Sequence, residues 1–95
     1  MFIHKIHRMN GKVIVAVCDA ELKGTKLRDR PEFVVGEFYG DEQIGEEVAE
    51  IVKDADSANL IGNRIVGLME EMGIVDKESI ALVGGEKHAI IIRIP

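Results

Sequence analysis

Cys18, Asp19 and Glu21 stand within four residues of one another, where an apolar run gives way to a polar one. A rigid strand end aimed at a flexible connection is a sensible place for a functional thiol. A reactive thiolate needs a cation or a helix N-terminus beside it, and Lys23 or Lys26 could supply the cation. The plainer reading is an inert cysteine packed on a sheet, because Cys18 falls in phase with Ile14 and Ala16. His4, His7 and His88 are the only histidines. His88 shares its phase with Ile90, Ile92 and Ile94, which suits a capped, half-buried ring. In the functional reading it pairs with Cys18 or Asp19 in a small enzyme or ligand-binding cleft. Tyr39 and Asn59 complete the candidate binding set of Cys18, Asp19, Glu21, Tyr39, Asn59 and His88; none is singled out as catalytic.

Several chemistries find no pattern. Cys-x-x-Cys and His-x-x-x-His spacings are absent, so no metal site is expected. No phosphate loop, nucleophile elbow or dinucleotide glycine pattern occurs, and no cofactor is expected. The acidic run Asp41–Asp56 reads as a solvated helix face. RNA-binding modules often stack bases on aromatics of an open sheet face. Phe2, Phe33, Phe38 and Tyr39 are the only aromatics, and Phe38-Tyr39 falls in an expected turn. Lys5, Arg8, Lys23, Lys26, Arg28 and Arg30 form a basic first third that could make a local patch. The net charge of −5 weighs against bulk nucleic-acid binding.

The elements that must position these residues follow from pattern. Asn10-Gly11 is a strong hairpin signal. It predicts strands over 2–9 and 12–18, with Met9 opposite Lys12 and Ile3 opposite Cys18. The second strand is apolar on both faces, so it is expected to be central and covered twice. A polar connection over 19–30 contains a short helical turn near Asp19–Leu22. A short strand follows at Glu32–Val35, then a turn at Glu37–Gly40. Val48, Ile51, Val52 and Ala55 predict helix one over 46–55. Ser57 is expected to cap helix two over 58–72, with stripe Ala58, Ile61, Ile65, Leu68 and Met72. Gly62 and Gly67 would lie inside it, offset by close approach to the sheet or a partner. Asn59 would sit in its first turn, and Arg64 would face solvent. Strands over 80–83 and 87–94 form a last hairpin around Gly84-Gly85. The order β-β-β-α-α-β-β predicts one α+β domain over 1–95, a small antiparallel or mixed sheet covered by a helical pair. No apolar run approaches the ~20 residues that span a bilayer, and residues 1–8 do not read as a signal peptide. One cysteine implies no oxidising compartment, so a cytoplasmic protein is expected.

In combination, Ala16–Gly24, Glu37–Gly40, Ser57–Val66 and Gly84–Ala89 resemble the archaeal domain-of-unknown-function family numbered four-two-four. The matching positions are Cys18, Asp19, Glu21 and Leu22, then Phe38, Tyr39 and Gly40, then Ala58, Asn59, Leu60 and Gly62, and finally His88 and Ala89. Lys87 and Ile90 depart from the proline and the amide that often flank the family's His-Ala. The resemblance implies an archaeal, compact α+β protein without an assigned activity. The leading expectation is a non-enzymatic binding or adaptor protein associated with RNA or with a translation-related protein. The cleft of Cys18, Asp19 and His88 is the second. A structural homo-oligomer joined through a strand edge or the Gly62/Gly67 helix is the third.

Overall fold

Asn10 and Gly11 both hold positive φ, 52° and 78°, as a type I′ turn requires. The turn joins β1 (Phe2–Met9) to β2 (Lys12–Asp19), with Met9 opposite Lys12 and Ile3 opposite Cys18 as the spacing predicts. This is a computed structural model that describes residues 1–27 and 30–93, the backbone alone for 30–33. Beyond the hairpin lie β3 (Lys26–Leu27), β4 (Arg30–Val34), β5 (Glu42–Ile44), α1 (Val48–Asp54), β6 (Ser57–Ile61), α2 (Asn63–Glu71), β7 (Ala81–Val83) and β8 (Glu86–Ile92). β3 and β4 form a separate hairpin; the other strands make one sheet in the order β5-β1-β2-β6-β8-β7. β2 and β6 run parallel, and the remaining neighbours are antiparallel. The fold is thus α+β with a mixed sheet.

β2 is buried on both faces, as its sequence requires. Val15 and Val17 pack with Val48 and Val52 of α1 and Ile65 and Met69 of α2. Ala16 and Cys18 pack on the other side with Leu27, Val35, Tyr39 and Ile61. That second face is covered in one half only. Beyond Tyr39 it opens, and Phe38 and Ile90 stand 45% and 54% exposed.

Residues 57–61 differ from the expectation. They form the central strand β6, not the first turn of helix two, and Ser57 caps nothing there. A short apolar stretch fits either period. Here the bare flank of β2 decides, because a strand laid along it buries it, and 57–61 does so in parallel. The strand also divides the expected helical pair. The buried stripe of α2 becomes Ile65, Val66 and Met69, while Met72 is 44% exposed. β3 and β5 are further strands within segments expected to be irregular or helical; β5 is short and mostly polar, which suits a sheet edge.

Gly62 makes the abrupt turn from β6 into α2. Its φ is 127°, and a Cβ there would overlap the Asp19 carboxylate. That carboxylate caps the helix from a distant strand. It accepts from the Arg64 amide at 2.9 Å and the Ile65 amide at 2.8 Å, the donors a local N-cap side chain would take.

Candidate functional site

β2, β6 and β8 lie side by side, so their partners line up in rows across the open face. One row is Ala16–Asn59–Ile90 and the next is Cys18–Ile61–His88. The turn at Glu37–Tyr39 lays Tyr39 over these rows. Its hydroxyl donates to Asn59 Oδ1 at 2.8 Å, and His88 Nε2 meets the same oxygen at 3.1 Å. Burial pushes the Tyr39 hydroxyl up to about 12, so it remains a donor. Burial also lowers His88, which favours a neutral ring with its proton on Nε2. Asn59 Nδ2 and His88 Nδ1 then have no partner among the described residues, leaving one donor group and one acceptor.

The same turn sends Phe38 outward. Its ring stacks on His7 with centroids 4.6 Å apart and planes at 16°. His7 Nε2 donates to the Phe38 carbonyl at 2.8 Å, which fixes the stack. Phe38 also meets Tyr39 edge-on at 5.3 Å. His7, Phe38, Tyr39, Asn59 and His88 therefore form a connected series across the face. His4 points to the other face and bonds the Glu42 carbonyl instead.

The remaining candidates are placed apart from this series. Cys18 lies on the same face but has no exposure. Ile61 stands between it and His88 in the row, which puts them two strand spacings, about 10 Å, apart. Burial raises its thiol to about 11 despite Lys23, so it stays protonated. Asp19 turns to the opposite face as the cap of α2. Burial raises its carboxyl, against the lowering pull of the Arg64 and Ile65 amides. Glu21 accepts from Arg64 Nε at 2.9 Å, and that hydrogen bond holds its carboxyl down to about 2. The pairing of His88 with Cys18 or Asp19 is therefore not formed, because β6 separates the strands that carry them. Arg64 does not simply face solvent. It bonds Glu21 and the Met1 carbonyl and lies 5.1 Å over the Phe2 ring.

Of the basic candidates, only Lys5 and Lys23 come together among the described residues, both beside Gly40 and Asp41. Lys5 and Arg8 alternate to opposite faces of β1. Lys23 is engaged by Asp41 at 2.7 Å and by the Gly40 carbonyl. Lys26 is exposed on β3. Arg28 and the side chain of Arg30 lie outside the described residues. Sequence reasoning missed the role of His7, which strand alternation alone could have placed on the face that Phe38 covers. It also read Asn59 as helical.

Among the described residues, no three His, Cys, Asp or Glu side chains are placed to hold a metal ion. No helix among them is long and apolar enough to cross a membrane. Comparison with known proteins gives two likenesses. A family described as "Protein of unknown function (DUF424)" matches residues 7–94. A crystal structure of an uncharacterised conserved protein from Methanopyrus kandleri superposes with a TM-score of 0.76 at 21% identity, covering 99% of this chain and 95% of that one. That likeness speaks to the fold alone. No curated protein matches the chain.

Proposed function

The chain belongs to the DUF424 family, whose function is unassigned, and from that premise we propose that it is a non-enzymatic binding protein that holds single-stranded RNA on the open half of its sheet face. The observation that carries this reading is the exposed Phe38 ring, braced by His7 at 4.6 Å beside the Asn59–His88 pair. A base stacked on such a ring contributes about 1–3 kcal/mol. Asn59 Nδ2 and His88 Nδ1 offer the donor and acceptor that a base edge requires. Lys5 and Lys12 share this face by alternation and are exposed, within reach of a phosphate backbone. Such a protein would work in the cytoplasm, and its single buried thiol needs no oxidising compartment.

The reading as an enzyme built on Cys18, Asp19 and His88 has less support. One of the three is a buried thiol, one a helix cap and one a ligand of Asn59.

Filter binding at low salt with single-stranded 12-mer RNAs and an RNA duplex tests the proposal. Single strands should bind in preference to the duplex. Phe38→Ala should weaken them by about 5- to 150-fold, the loss of one stacked base. Absence of RNA binding at low salt, or a Phe38→Ala protein that binds as well as the parent, would overturn it.

A further inference from the structure

β7 covers β8 only from Glu86 to His88, whereas β8 continues along β6 to Ile92. The Lys87 carbonyl accepts from the Gly62 amide, and the Arg93 amide donates to the Asp56 carbonyl, so both turn toward β6. Peptide groups alternate sides along a strand. Ile90 and Ile92 therefore turn theirs to the outer edge. Among the described residues no backbone group bonds them there. Their side chains are 54% and 72% exposed. Edges are ordinarily blunted by lysine, proline or a bulge; Ala89–Ile92 carries none of these. A cavity of about 230 Å³ lies between Ile90–Ile92 and the 74–79 segment, alongside the bare edge.

We propose that this edge of β8 pairs with the same edge of a second copy of the chain, antiparallel about a two-fold axis at Ile91, so that two six-stranded sheets become one. The register follows from the outward groups. In an antiparallel ladder the hydrogen-bonding residues stand opposite each other. Ile90 must then face Ile92 of the second copy, and Ile92 its Ile90, which closes four backbone hydrogen bonds. The charge pattern favours a second copy over a charged partner. The Arg93 guanidinium is withdrawn to the Val52 and Ala55 carbonyls at 2.9 and 2.8 Å. Lys87 leans toward Glu70 at 3.9 Å. What remains is a neutral, apolar strip that meets its own image without like-charge repulsion. The pairing is isologous, as a two-fold interface demands. It does not depend on RNA binding.

Sedimentation equilibrium from about 10 μM to 1 mM tests it, since a small interface implies a dissociation constant in the micromolar range. The mass should move from monomer toward dimer with concentration. Ile90→Lys should remain monomeric throughout, with an unchanged circular dichroism spectrum. At the axis the pair is not hydrogen-bonded, so the two Ile91 Cα atoms would lie about 4.5 Å apart, within disulfide reach. Ile91→Cys should form a covalent dimer on mild oxidation; Cys18 is buried and does not compete. Leu82→Cys, on β7, should not. A monomeric parent at 1 mM overturns the proposal. So does a dimer untouched by Ile90→Lys, or one that cross-links through Leu82→Cys but not Ile91→Cys.

Discussion

Asn59 Oδ1 takes two hydrogen bonds at once, from Tyr39 and from His88. Both partners are kept uncharged by burial, and so is Cys18 nearby. This has a consequence for pH. Cys18 and Tyr39 hold their protons more tightly in the folded chain than in the unfolded one, with values of about 11 and about 12 against 9.0 and 10.0. Folding therefore gains nothing from their ionisation. Their contribution is fully present below pH 9 and is lost as pH rises through the folded values. Urea midpoints should be level between about pH 7.5 and 8.5 and fall steadily toward pH 11. Tyr39→Phe should flatten part of that fall. At the same residue scale, the thiolate absorbance of Cys18 in the folded chain, followed against pH, should report an apparent value near 11. A value at or below that of a free thiol, about 8.5, would restore the thiolate reading.

At the scale of elements, the joint between β6 and α2 concentrates the most demand. Asp19 is 2% exposed and satisfies two amides of the helix start. Asp19→Ala should cost about 1–3 kcal/mol, because it strips a cap and leaves buried donors bare. Gly62→Ala should also destabilise, since its φ of 127° and the adjacent carboxylate both refuse a Cβ. Gly67 is the opposite case. Nothing lies within 4 Å of a Cβ placed there, so Gly67→Ala should stabilise α2 by about 0.5–1 kcal/mol. Thermal melts of the three variants check these signs together. The two glycines look alike in sequence, and the positive φ of Gly62 and the Asp19 carboxylate beside it distinguish them. This joint also marks the limit of what the chain's pattern reveals. The β1–β2 hairpin was legible to the residue, because its turn chemistry and its alternation are local. β6 was not, because its strand state depends on the bare flank of β2. The site divides in the same way. Tyr39, Asn59 and His88 were picked out as candidates, but their convergence needs β6 between β2 and β8, which no spacing of residues announces.

For the whole molecule, charge of both signs lies on both sides of the sheet. Glu50 and Asp54 ride on α1, whose buried side packs against the helix-bearing face of the sheet. The open face carries Lys5, His7 and Lys12, with the exposed Glu37 in the turn that holds Phe38, while Lys53 accompanies the acids of α1. A net charge of −5 then need not repel a strand laid on that side. It does limit how much the phosphates contribute. With one or two phosphates neutralised, the logarithm of RNA affinity should fall against the logarithm of salt with a slope of about −0.7 to −1.4. A steep slope, on the order of −5, would mean that binding runs through charge at some other surface. Titrations at four or more salt concentrations would separate the two. The parallel seam between β2 and β6 bears on how the chain acquires this shape. Its lower end is sealed by the Asp56 carboxylate, which accepts from the Val13 amide 43 positions earlier at 2.7 Å. The β1–β2 and β7–β8 hairpins close over short loops and form early, whereas non-local closures are slow. A chain leaving the ribosome thus carries β2, apolar on both faces, with one flank bare until Ile61 has emerged. The closure of that seam, rather than the speed of either hairpin, should set the folding rate, and stopped-flow refolding of a variant weakened at the seam, Asp56→Ala, should slow more than that of one weakened in the β7–β8 turn.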